Sequence, residues 1–329
     1  MIEIITTINT NTITSDLLQA MLEAGSTIFR INMSHTEISS ASKVVNLIRK
    51  IAESSKFKTK IMIDIPGPEV RIANLKTNHN LTAGSSTNIY FEAKKVDYYF
   101  SSTINKEIIK TGDRFYLQDG DFTGSITDIN QDYLTLTIDN SNILRPNCHF
   151  SIPGKSLHKD FLSAQDRDII RETAQLKPDF FALSFVSSQQ DIQEFQDYYT
   201  SLEINHKPLI LSKFETAKSL TNMESIIHHS DYLYIARGDL GIEVSIPLIP
   251  TLQKQISRKC QEFKKPFFVA TQMMESMTTK TSPTRAEISD VANAVFDGAS
   301  GVTLSDETAI GKYPLQAIQW MKMIIEANS

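Results

Sequence analysis

The residues able to do chemistry fall into a few groups. Lys213 and Glu215 stand one residue apart, and Arg237, Gly238 and Asp239 follow further along. Arg30, Asn32, Ser34 and His35 form an earlier group, while Asp64, Ser184 and Thr271 stand alone and Ser305, Asp306 and Glu307 form a late run. Arg30 and Lys213 are cations that suit a phosphorylated substrate. Each of these has a bland explanation when taken alone. Lys213 and Glu215 could be a strand-end ion pair, because structural pairs are also common. Asp239 after a glycine is usually a turn or cap residue. Thr271 is an ordinary β-branched strand residue, and His35 after Ser34 reads as a helix start. The stretch Pro283 to Glu287 has the proline and early acid of a helix N-terminus. Asp119-Gly120 reads most simply as a hairpin turn.

Position changes that balance. Short apolar runs recur at Glu3–Ile8, Ser26–Ile31, Lys60–Ile65, Asp179–Phe185, Pro208–Lys213, Asp231–Ala236, Pro266–Thr271 and Ser300–Leu304. Their near-continuous apolar character suits parallel strands covered on both faces. Amphipathic helical patterns lie between them. Leu17, Leu18, Met21 and Leu22 share one face, and Gly25 stands where that helix would stop. Ser163 with Asp166 looks like a capping box ahead of Ile169 and Ile170. The last helix is expected from Pro314 to about Ala327. Strands alternating with helices in this way predict a closed barrel or a large doubly wound sheet. The polar groups above collect at the ends of the runs, where barrel enzymes build their active sites.

One stretch breaks the rhythm. Residues 72–153 show no clear helix, and Arg114–Leu117 and Tyr133–Ile138 alternate or are β-branched. Gly120 and Gly124 are expected to mark turns between strands. This predicts a small all-β domain, inserted after the third run, with residues 1–71 and 154–329 forming the main domain.

Composition sets bounds. The 329 residues are 41% hydrophobic and 22% charged, as in ordinary globular proteins. A net charge of −5 argues against nucleic acid or an anionic membrane as partner, though a local basic cluster for a phosphorylated substrate stays compatible. Cys148 and Cys260 lie far apart without metal-ligand spacing, so a reducing compartment is expected. The start of the chain lacks a signal-peptide pattern, and no apolar run has the length of a membrane span. A cytoplasmic location is the expectation.

Several of these segments resemble the motifs of the pyruvate kinase family. Arg30-Ile-Asn-Met-Ser-His35 is similar to its Arg-x-Asn-x-Ser-His motif. Asp64-Ile-Pro-Gly67-Pro68-Glu69-Val-Arg71 resembles its Asp-x-x-Gly-Pro-Glu-x-Arg. Ser212-Lys213-Phe-Glu215 resembles Ser-Lys-Ile-Glu, and Ala236 to Gly241 matches the metal-binding turn. Ala270 to Met277, Pro283 to Glu287, Asp290 to Ala294 and Leu304 to Ala309 continue the likeness. It covers nearly all of the main domain and is weak in the insert. The resemblance implies an α/β fold, a (β/α)8 TIM barrel with a small β-barrel-like lid inserted after barrel strand 3. It implies transfer of the phosphoryl group of phosphoenolpyruvate to ADP or another nucleoside diphosphate, giving pyruvate and ATP.

The resemblance also assigns roles. Lys213, Thr271 and Arg30 would be catalytic. Lys213 would offset charge on the moving phosphoryl and on the enolate, Arg30 would hold the phosphate, and Thr271 would lie on the route that protonates the enolate. Arg30, Ser184, Lys213, Gly238, Asp239 and Thr271 would bind the substrate, with the amides near Gly238 on its carboxylate. Glu215 and Asp239 would hold Mg2+ (or Mn2+). Asn32, Ser34, Asp64 and the Ile65 carbonyl would hold K+, and Glu69 agrees with the K+-dependent pattern. Asn32, His35, Arg71 and Asp119 would face the nucleotide.

This chain departs from the family mainly on the nucleotide side. Asn9-Thr10-Asn11-Thr12 stands for Gly-Pro-Ala-Ser, Ser40 falls near a nucleotide-contacting tyrosine, and Asn147-Cys148 stands for Lys-Lys. Ser187 replaces a basic residue, and Asp306 replaces a glycine. Arg145 or Lys155 could stand in for the missing lysines. The phosphoenolpyruvate and ion elements are retained while the ADP elements are eroded. Alternatives are therefore an enzyme that uses phosphoenolpyruvate or pyruvate enolate with a non-nucleotide acceptor, and a weakly active or inactive paralogue that binds phosphoenolpyruvate or a partner protein. The family's C-terminal domain, with its sugar-phosphate site, has no counterpart in these residues. Regulation at that site is therefore not expected, and a homodimer is expected in place of the family tetramer.

Overall fold

The computed structural model describes residues 2–55, 57–73, 78–92, 98–158 and 160–329, and of Asp119 only the backbone. Eight parallel strands close into a barrel in chain order. They are β1 (Glu3–Thr7), β2 (Ile28–Asn32), β3 (Lys60–Ile65), β4 (Phe180–Leu183), β5 (Leu209–Phe214), β6 (Tyr232–Ala236), β7 (Phe267–Ala270) and β8 (Gly301–Leu304). Strand β8 pairs with β1, with Glu3 opposite Gly301, so the sheet has no edge. Each of the eight apolar runs became one strand. The runs are apolar throughout because both faces are covered. Alternate residues such as Ile28, Met62, Phe180, Leu211 and Phe268 fill the interior. The others, such as Phe29, Ile63, Phe181 and Val269, pack beneath the outer helices.

The helices start and stop for local reasons. Thr14 accepts from the Leu17 amide and opens the helix Ser15–Ala24, and Gly25 ends it at φ 123°. Ser163 and Asp166 form the expected capping box at the start of Ala164–Ala174. Asp166 does a second job, because its Oδ1 accepts from the Gly67 amide at 3.1 Å. Gly67 has φ +70°, and a Cβ there would lie 2.6 Å from the Ser184 carbonyl oxygen. Only glycine lets the loop after β3 press against the end of β4. The last helix runs from Pro314 to Asn328. No helix among the described residues is long and apolar enough to cross a membrane.

Between β3 and β4 the chain builds a seven-stranded sheet and a separate two-stranded one. Arg114–Leu117 and Tyr133–Ile138 are strands with the bounds read from the sequence. The outermost strands of the larger sheet, Ile72–Ala73 and Phe150–Ser151, meet through an antiparallel bridge between Arg71 and His149. The sheet thus curls back on itself around a core that includes Phe115, Phe122, Leu134 and Phe150. Gly120 lies in a short 3-10 turn, Gln118–Gly120, at φ +93°. Gly124 is a correction to the sequence reading. It lies inside the strand Phe122–Ile129, where a Cβ would come within 2.2 Å of the Thr137 carbonyl oxygen. That glycine is required by close packing against the neighbouring strand, not by a turn.

Candidate active site

Polar side chains occupy the last inward-facing positions of the barrel strands. Inward residues recur every second position. Arg30, Asp64 and Lys213 therefore follow the interior residues Ile28, Met62 and Leu211 by two. All three lie inside their strands, and Ser184 and Glu215 come just beyond β4 and β5. Arg30 Nε donates to Asp64 Oδ2 at 2.6 Å, and its NH1 donates to Thr7 Oγ1 at 2.9 Å. Lys213 Nζ donates to Ser184 Oγ at 2.8 Å and reaches Asp64 Oδ1 at 3.4 Å. The Ser184 hydroxyl in turn donates to Asp64 Oδ1 at 3.2 Å. The Phe185 amide donates to Glu215 Oε2 at 2.7 Å. These groups are deeply buried, with Lys213 7%, Asp64 2% and Glu215 0% exposed. Burying a charge is costly unless it is paired, and here each buried charge has an opposite partner.

The electrostatics leave one oxygen open. Glu215 Oε1 lies 2.8 Å from Lys213 Nζ. It is nevertheless a buried atom without a hydrogen bond of proper geometry. The distance makes an ion pair, while the angles leave a lone pair uncommitted. Burial, with the negative charge of Asp239 nearby, pushes the Glu215 carboxyl well above the usual range against the pull of Lys213. Burial also opposes ionisation of Asp64, yet Lys213 and Arg30 hold its carboxyl below the usual range. Lys213 stays protonated for the complementary reason: burial disfavours its charge, but Asp64 and Glu215 outweigh it. A buried carboxylate of this kind is stabilised by an added cation. Glu215 and Asp239 therefore fit a hard divalent ion. Among the described residues no group of three or more His, Cys, Asp or Glu is placed to hold a metal.

The turn after β6 lies against the end of β7 and brings Gly238 up to Thr271. A helix starts at Arg237 and runs to Glu243, so Gly238 and Asp239 lie in its first turn. Their amides are among those without an intrahelical acceptor. Gly238 is required here, because a Cβ would lie 2.7 Å from Thr271 Cγ2. Thr271 has φ +74° and Gln272 φ +57°, a left-handed pair rarely adopted by such residues. Arg237 holds that strained turn in place. Its Nη2 donates to the Thr271 carbonyl at 2.7 Å, and its fork grips Asp290 at 2.7 and 2.6 Å. The sequence shows Arg237 but not this bracing role, which depends on β7 lying beside β6.

Comparison with known proteins places this arrangement. The family model "Pyruvate kinase, barrel domain" matches residues 1–318. The chain belongs to the pyruvate kinase family. It is 34% identical to a pyruvate kinase of Thermoplasma acidophilum over 328 residues, covering 98% of this chain and 57% of that protein. It is 34% identical to the chloroplastic pyruvate kinase isozyme G of Nicotiana tabacum, covering 98% of this chain and 58% of that protein. The crystal structure of a pyruvate kinase from Cryptosporidium parvum superposes with a TM-score of 0.91 at 31% identity, covering 98% of this chain and 68% of the other. The chain thus spans under two thirds of the length of the two curated relatives described here.

The positions that the pyruvate kinase family gives to K+ and nucleotide are more dispersed. Asn32 pairs with Asp64 across β2 and β3, and Asn32 Oδ1 accepts from the Ser34 amide at 3.1 Å. Ile65 is buried at the end of β3, and both Asp64 oxygens are already engaged, by Arg30 on one side and by Ser184 and Lys213 on the other. His35 is exposed on the loop after β2. Arg71 stands at the root of the insert and is committed: its Nε and Nη2 donate to Glu69 Oε2 at 2.9 and 2.6 Å, and its Nη1 to the Asn147 carbonyl. The Asp119 side chain lies outside the described residues. Lys155 is also engaged, with Asp113 and the Ile108 carbonyl. A cleft separates the insert from the barrel on the side of β4 to β6. Pro68, His149, Phe185, Thr216, Asp239 and Glu243 line it, so Asp239 faces both the cleft and the Lys213 cluster.

Proposed function

We propose that the chain is an enzyme that transfers the phosphoryl group of phosphoenolpyruvate to a nucleoside diphosphate, ADP first among them, giving pyruvate and the triphosphate. The observation that carries this reading is the buried ammonium of Lys213 between Asp64 and Glu215, with the Arg30 guanidinium beside it. Phosphoryl transfer calls for charge neutralisation and positioning more than covalent help. Arg30 commits Nε and one donor of Nη1 to the protein, and no described acceptor takes Nη2, so it can grip the phosphate. Lys213 faces the charge that develops on the transferred group and on the enolate. The first-turn amides of Gly238 and Asp239 receive the carboxylate, and the Thr271 hydroxyl stands on the route by which the enolate's methylene carbon gains a proton. Glu215 and Asp239 would hold Mg2+ (or Mn2+), which would neutralise phosphoryl oxygens. Asn32, Ser34, Asp64 and the Ile65 carbonyl would hold K+, and Ser184 fixes Lys213 and Asp64 relative to each other. His35, Asn32 and Asp119 would face the nucleotide. A homodimer in the cytoplasm is the setting this reading expects.

A second reading has one observation in its favour. Arg71, the guanidinium expected on the nucleotide side, is bound to Glu69 and the Asn147 carbonyl. Acceptors without a diphosphate tail would miss it least. Pyruvate release should be measured with and without ADP, GDP and other diphosphates, varying Mg2+ and K+. The expected result is release only when a diphosphate and both ions are present. Metal-dependent consumption of phosphoenolpyruvate without any diphosphate would support the other acceptor instead. Thermal stabilisation by phosphoenolpyruvate with no turnover would leave only a binding protein.

A further inference from the structure

The rim of the barrel is laced by carboxylates that reach from one loop to the amides of another. Glu215 after β5 accepts from the Phe185 amide after β4. Glu307 after β8 accepts from the Met274 amide after β7 at 3.0 Å and from Ser305 at 2.7 Å. Glu243 belongs to this series and reaches further. It closes the helix Arg237–Glu243 that also carries Asp239. Its Oε2 accepts from the Ala217 amide at 3.2 Å, two residues beyond Glu215. The same oxygen accepts from the Gly154 amide at 3.1 Å, where the inserted sheet returns to the barrel. One carboxylate oxygen thus joins three segments: the insert's exit, the loop that holds Glu215, and the helix that holds Asp239.

We infer that Glu243 is a positioning residue that latches the insert over the cleft and, through the same oxygen, fixes Glu215 and Asp239 relative to each other. The physical reason is that one acceptor serves two donors from different segments. With the insert seated, Oε2 receives two amide protons, and both bonds work against the burial that raises the Glu243 carboxyl above its usual range. When Gly154 withdraws, the carboxylate keeps one of those bonds, so seating the insert is favoured by the acid that braces the metal-side loops. The neighbouring contact between the His149 and Phe185 rings, 5.9 Å apart, lies on the same side of the cleft. The latch itself depends only on these bonds, and its effect on turnover rests on the phosphotransferase reading.

Hydrogen exchange followed by mass spectrometry separates the two. In Glu243→Ala, peptides covering 149–157 and 214–220 should exchange about tenfold faster, while the β8 peptide around Gly301–Leu304 keeps its protection. Glu243→Gln, which keeps one acceptor oxygen, should restore part of that protection. In an active enzyme the Mg2+ concentration for half-maximal rate should rise about tenfold in Glu243→Ala, with the KM for phosphoenolpyruvate changed far less. Unchanged exchange in both peptides would overturn the latch, and so would an acceleration spread evenly over the barrel. An inactive chain that still shows the local acceleration would sink the phosphotransferase reading and leave the latch standing.

Discussion

Replacing Lys213 by methionine is expected to lower kcat by about a thousandfold while leaving the barrel folded. The ammonium is the cation placed between two buried carboxylates at the barrel mouth. Methionine fills similar space without charge, so the transferred group and the enolate lose the positive charge that faces them. The fold survives because the remaining charges can adjust. Asp64 keeps Arg30 at 2.6 Å. Glu215, already pushed above the usual range by burial, takes up a proton when the lysine leaves. Circular dichroism and a thermal melt alongside the kinetic assay check both halves of this expectation. Normal turnover in the variant would remove Lys213 from the chemistry.

The opposite substitution in the same network should act on stability. Asp64→Asn is expected to cost about 3–5 kcal/mol at neutral pH, read as a shift in the denaturant midpoint. It leaves the Arg30 guanidinium and the Lys213 ammonium buried near each other without the anion between them. A guanidinium cannot shed its proton to relieve this. The pH dependence has a definite sign. The Asp64 carboxyl is held below its ordinary value in the folded chain, so its contribution is complete above about pH 4 and fades as pH falls through the lowered value. The stability gap between the native chain and Asp64→Asn should therefore stay level from pH 8 to about 5 and narrow only below about 4. A gap that narrows near neutrality would point to a different titrating group.

The barrel was legible because its strands are apolar on both faces, a signal that survives without knowledge of neighbours. The run Pro208–Lys213 predicted β5 to within a residue at either end. The sequence places Arg30 and Lys213 at strand ends, whereas the structure puts them inside the strands. A polar side chain on the top inward layer still makes the strand's backbone bonds, so its chemistry does not mark the strand's end. Ser163 and Asp166 gave the capping box, yet the second bond from Asp166 to Gly67 could not be read, since it joins segments far apart in sequence. The role of Gly124 is hidden for the same reason: the Phe115 ring and Thr137 carbonyl that exclude a side chain lie on other strands. Arg237 gripping Asp290, and Glu243 joining Gly154 to Ala217, are likewise products of packing. Sequence patterns report what a residue is next to along the chain, whereas braces of this kind depend on which loops the closed barrel brings together.

Everything in the functional reading rests on Glu215 and Asp239 sharing one divalent ion beside Lys213. Crystals grown with Mn2+ and phosphoenolpyruvate, measured at the manganese edge, put that to direct trial. The account predicts one anomalous peak with a carboxylate oxygen of each residue about 2.1 Å away. No peak there, or a peak held by other residues while Glu215 and Asp239 point apart, would contradict it.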